Sequence, residues 1–386
     1  MESRSSGRTH ADLKFLSDEA LMVGTLDTWL VQTGRARASR WRCEFARHHP
    51  GQDPWAVCLY EAADGRLIRI DALRGPRVDS VEHATLGPLR FAVFPDDQAL
   101  KGLGDVLARL EHAQVVRYRP GKRCTLRGFV SGAERFVKVV TAGERLYRDA
   151  ITLWNGHLEG ALSTAVAEPH AWEHATQSFW QGVVPGRPIV AELCGPQGDR
   201  FARRLGTALG ELAGSGLKPG SSHDATEQLE RTGRAIKRSI LALPALRPRL
   251  EAMCDELARR HATLPACRLV PIHGAPHMHQ WLIDEDRLGL VDFDRFALGE
   301  PEFDLSTFVA ELDTEKALTR PVEAIESAMI EGYGARGIEI DVARARLYRA
   351  HKRLSKVMRT AWSVRADAAQ RAERHLRSAE SLLQAT

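Results

Sequence analysis

The chain has no run of about 18 uninterrupted apolar residues, so none of it is predicted to span a bilayer. No two of its six cysteines (Cys43, Cys58, Cys124, Cys194, Cys254, Cys267) form a Cys-x-x-Cys pair. That scatter argues against a zinc site or a disulfide frame and for reduced cysteines that pack. The opening MESRSSGRTHADLKF lacks the apolar core of a secretory leader. With the cysteines, this gives a cytoplasmic location as the expectation. An excess of one charge is also missing: 54 Lys and Arg against 50 Asp and Glu leave a net charge of +4. Such a balance does not by itself imply nucleic acid as a partner. There is no solenoid-type repeat and no low-complexity tract. What is present is 386 residues, 44% hydrophobic and 27% charged, the composition of an ordinary soluble protein of two or three units.

Periodicity divides the chain. Ser17-Asp18-Glu19 reads as a helix start, and the apolar run Ala20–Val31 stops before Gly34, a C-terminal cap. Strand-like stretches follow at Trp41–Ala46, Trp55–Tyr60 and Leu67–Ile70, with Asp64-Gly65 at a hairpin-turn position. Helical spacing returns over Asp97–Leu110. A second set of strands covers Val115–Pro120, Cys124–Val130 and Arg135–Val140, where alternation puts Lys138 on one face with Phe136 and Val140. A helix is expected over Gly143–His157. After Phe179–Val184 the Pro185-Gly186 pair breaks the chain, and helical periods dominate over 200–214, 224–242, 245–262, 304–313, 321–333 and 341 to the end. The expected division is an extension over 1–111 with its own small antiparallel sheet, a strand-rich unit over 112–184, and a helix-rich unit over 185–386.

The segment Ile272–Asp294, IHGAPHMHQWLIDEDRLGLVDFD, carries the chemistry. His273-Gly274 opens a loop after apolar residues, and Gln280 begins a short strand. The turn Asp284-Glu285-Asp286 leads to a second strand, Leu288–Val291, which delivers Asp292. Phosphoryl transfer needs such a set: a loop facing the nucleophile, an amide oxygen on a metal, and a carboxylate between metal and phosphates. Asp292 reads as a magnesium ligand or as a turn aspartate, and Asp294 as its partner or a turn former. Lys138 is the phosphate lysine or an exposed strand lysine. Asp304, before Leu305 and Phe308, reads as a helix cap.

This pattern resembles the aminoglycoside phosphotransferase family, small kinases that share the protein-kinase fold. There the loop reads His-Gly-Asp, an Asn follows, and an Asp ends the next strand. In this chain the loop Asp is Ala275 and the Asn is Gln280, while Asp292 and Gly299-Glu300-Pro301-x-x-Asp304 match. The resemblance implies an α+β, bilobal protein-kinase-like fold, with a β-rich N-lobe and a helical C-lobe, preceded by the α+β extension. It implies ATP and Mg2+ as cofactors, and a hydroxyl-bearing small molecule or peptide as acceptor. Candidate catalytic residues are Asp292, His273 (as a loop fixer) and His277, which could substitute for the base missing at Ala275. His279 is a further candidate for that substitution. Gln280 and Asp292 are the expected metal ligands. Lys138 is expected to bind phosphates, the turn Pro120–Arg123 to cover them with backbone amides and basic side chains, Lys122 among them, and the connector residues Gln181 and Val183 to hold the base. Glu144 and Asp149 on the following helix are candidates to orient Lys138. An Asp at the position of Asp304 would brace the loop. A carboxylate lost at Ala275 removes a contribution of roughly 10²- to 10⁴-fold, so the alternative is a nucleotide-binding pseudokinase with a regulatory or scaffold role. The arginine-rich stretch Arg344–Arg377, with Tyr348, Leu354, Val357, Met358 and Trp362 on an apolar side, is either a solvated helix pair or a docking face for an acidic partner protein. No nucleic-acid motif accompanies it, and neither membrane nor nucleic acid is an expected partner.

Overall fold

The computed structural model describes residues 10–49, 51–141, 143–312, 315, 317–318, 320–363, 365 and 367–384. Residues 1–9, part of the opening without a leader-like core, lie outside them, as does residue 313, the expected end of one helix. No described helix is long and apolar enough to cross a membrane.

The extension packs helices His10–Ser17 and Glu19–Gln32 on a five-stranded antiparallel sheet. Asp18 caps the second helix, its carboxylate accepting from the backbone N–H of Ala20 and Leu21. Met22, Leu26 and Leu30, spaced by one helical turn, are buried against Trp55, Tyr60, Ile68 and Ile70. Two of its strands, Ser80–His83 and Gly87–Val93, go beyond the three expected. The Gly87-Pro88 pair reads locally as a turn, yet Pro88 sits at the start of its strand, where its missing N–H is tolerated. The helix expected over Asp97–Leu110 is confined to Leu103–Arg109. It buries Leu103 and Val106 in one cluster with Leu126, Val137, Val139 and Leu59, which joins the extension to the next sheet.

That second sheet orders strands Glu111–Arg119, Arg123–Val130, Ala133–Val140, Ser178–Gln181 and Pro169–Glu173, with helix Glu144–Leu158 against it. The C-terminal half is helical: Gly198–Gly214, Ala225–Ala242, Arg247–Thr263, Pro301–Leu312, Val322–Gly334, Val342–Ala361 and Ala368–Gln384 are its longer helices. The helical stretch expected from 341 onward is a pair of helices, Val342–Ala361 and Ala368–Gln384, that pack on each other. Leu354, Val357, Leu376 and Ala379 lie in their shared core with Leu250 and Leu257. Two three-stranded sheets sit between the lobes. One pairs Trp281–Asp284 with Arg287–Leu290, and the other pairs Ala297–Gly299 with Val270–Ile272 and Ser222–His223. The result is an α+β, bilobal, kinase-like fold with an α+β extension.

Candidate functional site

Two hairpins and one sheet strand converge between the lobes. Lys138 lies on strand Ala133–Val140, only 6% exposed, and its ammonium donates to Asp292 Oδ1 at 2.7 Å and to Asp294 Oδ1. Burial alone would lower the lysine's pKa, but Asp294 and Asp292 outweigh it and hold the charge. Burial likewise would raise Asp292. Lys138 more than reverses that, with Arg123 adding to it, and keeps the carboxylate well below its usual range. Asp294 also binds the Arg123 guanidinium. The acid expected on the following helix is therefore not the lysine's partner. Glu144 is exposed in the first helical turn, and Asp149 is buried with Arg145 at 2.7 Å and the Gly220 N–H at 3.0 Å. The carboxylate that neutralises Lys138 besides Asp292 comes from the far lobe.

Lys138, Leu153, Val166, Phe179, Asp292 and Asp294 line a cleft that Gln181 also borders. Val183 is outside that lining and 39% exposed. Lys122 faces elsewhere: it lines a separate cavity with Arg47, His49, Arg117 and Arg119. The turn amides expected to cover phosphates are already engaged, Gly121 N–H by Asp97 Oδ2 at 2.7 Å and Lys122 N–H by Arg119 O at 3.0 Å. From this turn it is the Arg123 side chain that reaches the cleft. Arg119 stands close by, its pKa lowered to about 10 by burial and by Arg117, Arg123 and Arg47.

The loop below is knit from its own backbone. His273 is fully buried; its Nε2–H donates to Val291 O at 3.1 Å, which leaves Nδ1 to accept from Ala275 N–H at 3.4 Å. Burial lowers its pKa to about 4, so the ring is neutral at pH 7 and both nitrogens are occupied. Asp304 does not cap its own helix. It lies inside Pro301–Leu312, and its two oxygens accept the N–H groups of His273 (2.6 Å) and Gly274 (2.8 Å). Gly274 has φ +80°, and a Cβ there would lie 2.1 Å from the Arg295 carbonyl oxygen. Asp292 itself has φ +69°, an uncommon conformation for a non-glycine residue that recurs at functional sites.

Gln280 belongs to a short 3₁₀ turn, Met278–Gln280, ahead of strand Trp281–Asp284. Its Oε1 accepts from His277 N–H at 2.9 Å and its Nε2 donates to Asp292 Oδ2 at 3.2 Å. The backbone N–H of His277 fixes this amide orientation, since it can only donate. The expected ligand oxygen is thus engaged by the loop, while the amide nitrogen holds Asp292. His277 is half-buried, and its Nδ1 has no hydrogen-bond partner among the described residues. Burial lowers its pKa. His279 is exposed. Sequence reasoning placed Arg123 only among the basic side chains of its turn, and missed the placement of Arg119, Asp97 and Arg295. No local periodicity marks them, and the partners of Arg123 and Asp97, Asp294 and the Gly121 N–H, lie well away in the chain.

The fold is similar to that of amicoumacin kinase, solved in complex with AMP-PNP and Ca2+ (TM-score 0.57, 13% identity, covering 73% of this chain and 93% of that one). It is also similar to a choline kinase from Streptococcus pneumoniae (TM-score 0.52, 12% identity, 72% and 96% covered). A choline/ethanolamine kinase family protein from Mesorhizobium loti gives a TM-score of 0.51 at 14% identity, with 74% and 92% covered. At such identities the likeness is one of fold. No curated protein matches the chain in sequence. The model of the phosphotransferase enzyme family that includes the aminoglycoside phosphotransferases matches residues 130–348, more than half of the chain and all of the cleft just described. The chain belongs to this phosphotransferase enzyme family.

Proposed function

We propose that the protein transfers the terminal phosphoryl group of ATP to a hydroxyl of a small molecule or peptide. One observation carries this reading: Lys138, Asp292 and Asp294 meet as an ion cluster at the floor of the interlobe cleft. In the transfer, the acceptor oxygen bonds to the γ-phosphorus as the bond to the β,γ-bridging oxygen breaks. ADP leaves with that electron pair, and the hydroxyl proton passes to a base or to water. Lys138 would pair with the phosphates, and Arg123 would add charge from the turn above.

The donor set fits magnesium. Among the described residues no group of three or more His, Cys, Asp or Glu could hold a metal unaided. Mg2+ in phosphoryl-transfer sites is commonly held by one or two carboxylates together with substrate phosphates. Asp292 and Asp294 would be those carboxylates, and Gln280 would orient Asp292 rather than supply an oxygen. Bound there, the ion would neutralise charge on the phosphates. The extension (1–111), the N-lobe (112–184) and the C-lobe (185–386) are the proposed units of this machine.

Thermal unfolding of the full chain with ATP at fixed Mg2+ tests the reading. A hundredfold excess over the dissociation constant should raise stability by about 2.7 kcal/mol, and Asp292→Ala should abolish the shift. A well-folded protein that shows no Mg2+-dependent shift would sink the proposal.

A second reading, a nucleotide-binding pseudokinase with a regulatory or scaffold role, draws on the loop. Ala275 offers no proton acceptor, and both nitrogens of His273 are engaged. His277, two residues further on, is then the side chain proposed to take the hydroxyl proton. Ala275→Asp separates the readings. With an otherwise intact site it should raise ATP-dependent phosphorylation of a confirmed acceptor by about 10²-fold, and the absence of any gain would favour the pseudokinase.

A further inference from the structure

A second cavity, open to solvent, lies in the C-lobe against the loop. Its walls come from three helices and the residue after Asp294. Arg231 is on Ala225–Ala242; Phe303 and Thr307 are on Pro301–Leu312; Lys352 and Arg359 are on Val342–Ala361; and Arg295 closes it. Two contacts tie this cavity to the loop. The Arg295 carbonyl oxygen sits where a Cβ on Gly274 would fall, and Phe303 and Thr307 flank Asp304, which holds the His273 and Gly274 N–H groups.

Its charge is of one sign. Four cations line it and no carboxylate does. The nearest acids stand behind the lining and are shared. Glu227 pairs with Arg231 at 2.8 Å and with His223. Glu311 is divided among Lys352 (3.4 Å), Lys356 (3.2 Å) and Arg359 (3.8 Å). Arg295 has no ion pair among the described residues. The cations suffer for their proximity: burial lowers the pKa of Arg295, with Arg231 the next cause. Lys352 falls to about 8, again through burial first, with Glu311 opposing and Arg359 adding to the fall. Concave sites lined by one sign of charge concentrate ligands of the other. The rest of the polar lining is uncharged and adds no negative charge; within it, Thr232 and the buried His351 are bonded to each other at 2.7 Å.

We propose that this cavity is the acceptor site, and that it takes an anionic alcohol, a hydroxyl compound that also carries a phosphate or carboxylate group. The assignment rests on the phosphotransferase reading above and narrows its acceptor class. A cationic amine or amino sugar would meet Arg295, Lys352 and Arg359 with like charge and be repelled.

Calorimetry on the full chain tests it, with glycerol 3-phosphate and D-glycerate as anionic probes and glycerol and choline as neutral and cationic controls. Each is titrated with and without Mg2+ and a non-hydrolysable ATP analogue. The two anions should bind, more weakly as salt rises, and the controls should not. Arg295→Gln and Arg359→Gln alter side chains that line the cavity and belong to no apolar cluster, so the core is left untouched. Each should weaken anion binding by about tenfold, a loss of one charge-assisted contact. Lys122→Gln, in the other basic cavity, should leave it unchanged. The proposal is overturned if the anions do not bind, if choline binds as well as they do, or if the two arginine variants bind the anions like the parent protein. Nucleotide binding without anion binding would remove this inference and leave the phosphotransferase reading standing. Anion binding without nucleotide binding would remove the phosphotransferase reading, and with it the acceptor role, leaving the cavity as an anion site.

Discussion

Asp292 and Asp304 lie on either side of the same loop and live in opposite electrostatic settings. Asp292 is half-buried, and Lys138, with Arg123 beyond it, holds its pKa well below the ordinary carboxylate range. Asp304 is 2% exposed and its bonds come from two backbone N–H groups. Burial pushes its pKa up to about 7, with those N–H bonds opposing the rise. The first carboxylate is kept ionised and within reach of the cleft; the second is walled off and works as a strut. Both are acids beside apolar residues in the sequence, so residue type does not distinguish a chemical group from a structural one. The neighbours supplied by the fold do.

The most severe way to break the strut is to move what it holds. Gly274→Ala would force a φ of +80° on an L-residue and place Cβ 2.1 Å from the Arg295 carbonyl oxygen. The left-handed conformation costs roughly 1–2 kcal/mol, and the contact requires backbone to shift. We expect a loss of about 3 kcal/mol or more in urea unfolding. A loss below 1 kcal/mol would mean that the loop is not held as described.

Asp304→Asn acts on the same strut more gently. One amide oxygen can accept only one of the two N–H groups in this geometry, so a cost of about 1–3 kcal/mol is expected. Its pH signature is more telling. Asp304 has a folded pKa above its unfolded value of 3.8, so its contribution to stability is fully present below pH 4 and is lost as pH rises through about 7. His273 runs the other way. Its folded pKa of about 4 lies below 6.5, so its neutral form supports stability at high pH, and that support is lost as pH falls from 6.5 towards 4. In the parent protein the two slopes oppose each other. Asp304→Asn removes the opposing slope, so that between pH 4.5 and 6.5 stability should climb more steeply than in the parent protein, by up to about 1.4 kcal/mol per pH unit. Asp292→Asn should leave that window unchanged, because Asp292 is ionised throughout it in both states. Equal slopes in the two variants would dissolve the distinction drawn between these acids.

The hairpin from Trp281 to Asp292 was legible because its parts are contiguous: alternating apolar residues, a charged turn and an aspartate at a strand end. The bracing role of Asp304 was legible through the family resemblance, while the local pattern suggested a cap. The partners of Lys138 were not legible. Glu144 and Asp149, close in sequence, were the candidates, whereas Asp292 and Asp294 stand more than 150 residues away. Arg123 meets Asp294 across a still longer separation. The basic cavity draws Arg231, Arg295, Lys352 and Arg359 from two helices and a loop, and each taken alone reads as an ordinary surface cation. Short-range spacing encodes elements and turns; ion clusters closed by tertiary contact leave no period behind.

Gly24 provides the smallest effect and the control for Gly274. It lies in the interior of helix Glu19–Gln32, and a Cβ added there would meet nothing within 4 Å. No positive φ is required, so its glycine costs helix stability without giving anything in return. Gly24→Ala should therefore stabilise the protein by about 0.5–1 kcal/mol, through reduced freedom of the unfolded chain. Urea unfolding followed by circular dichroism reads it directly. The two substitutions are chemically the same, one added methyl group, and should move the midpoint in opposite directions. If Gly24→Ala also destabilised the protein, helix Glu19–Gln32 would not be the ordinary amphipathic helix described, and its packing on the first sheet would need to be drawn again.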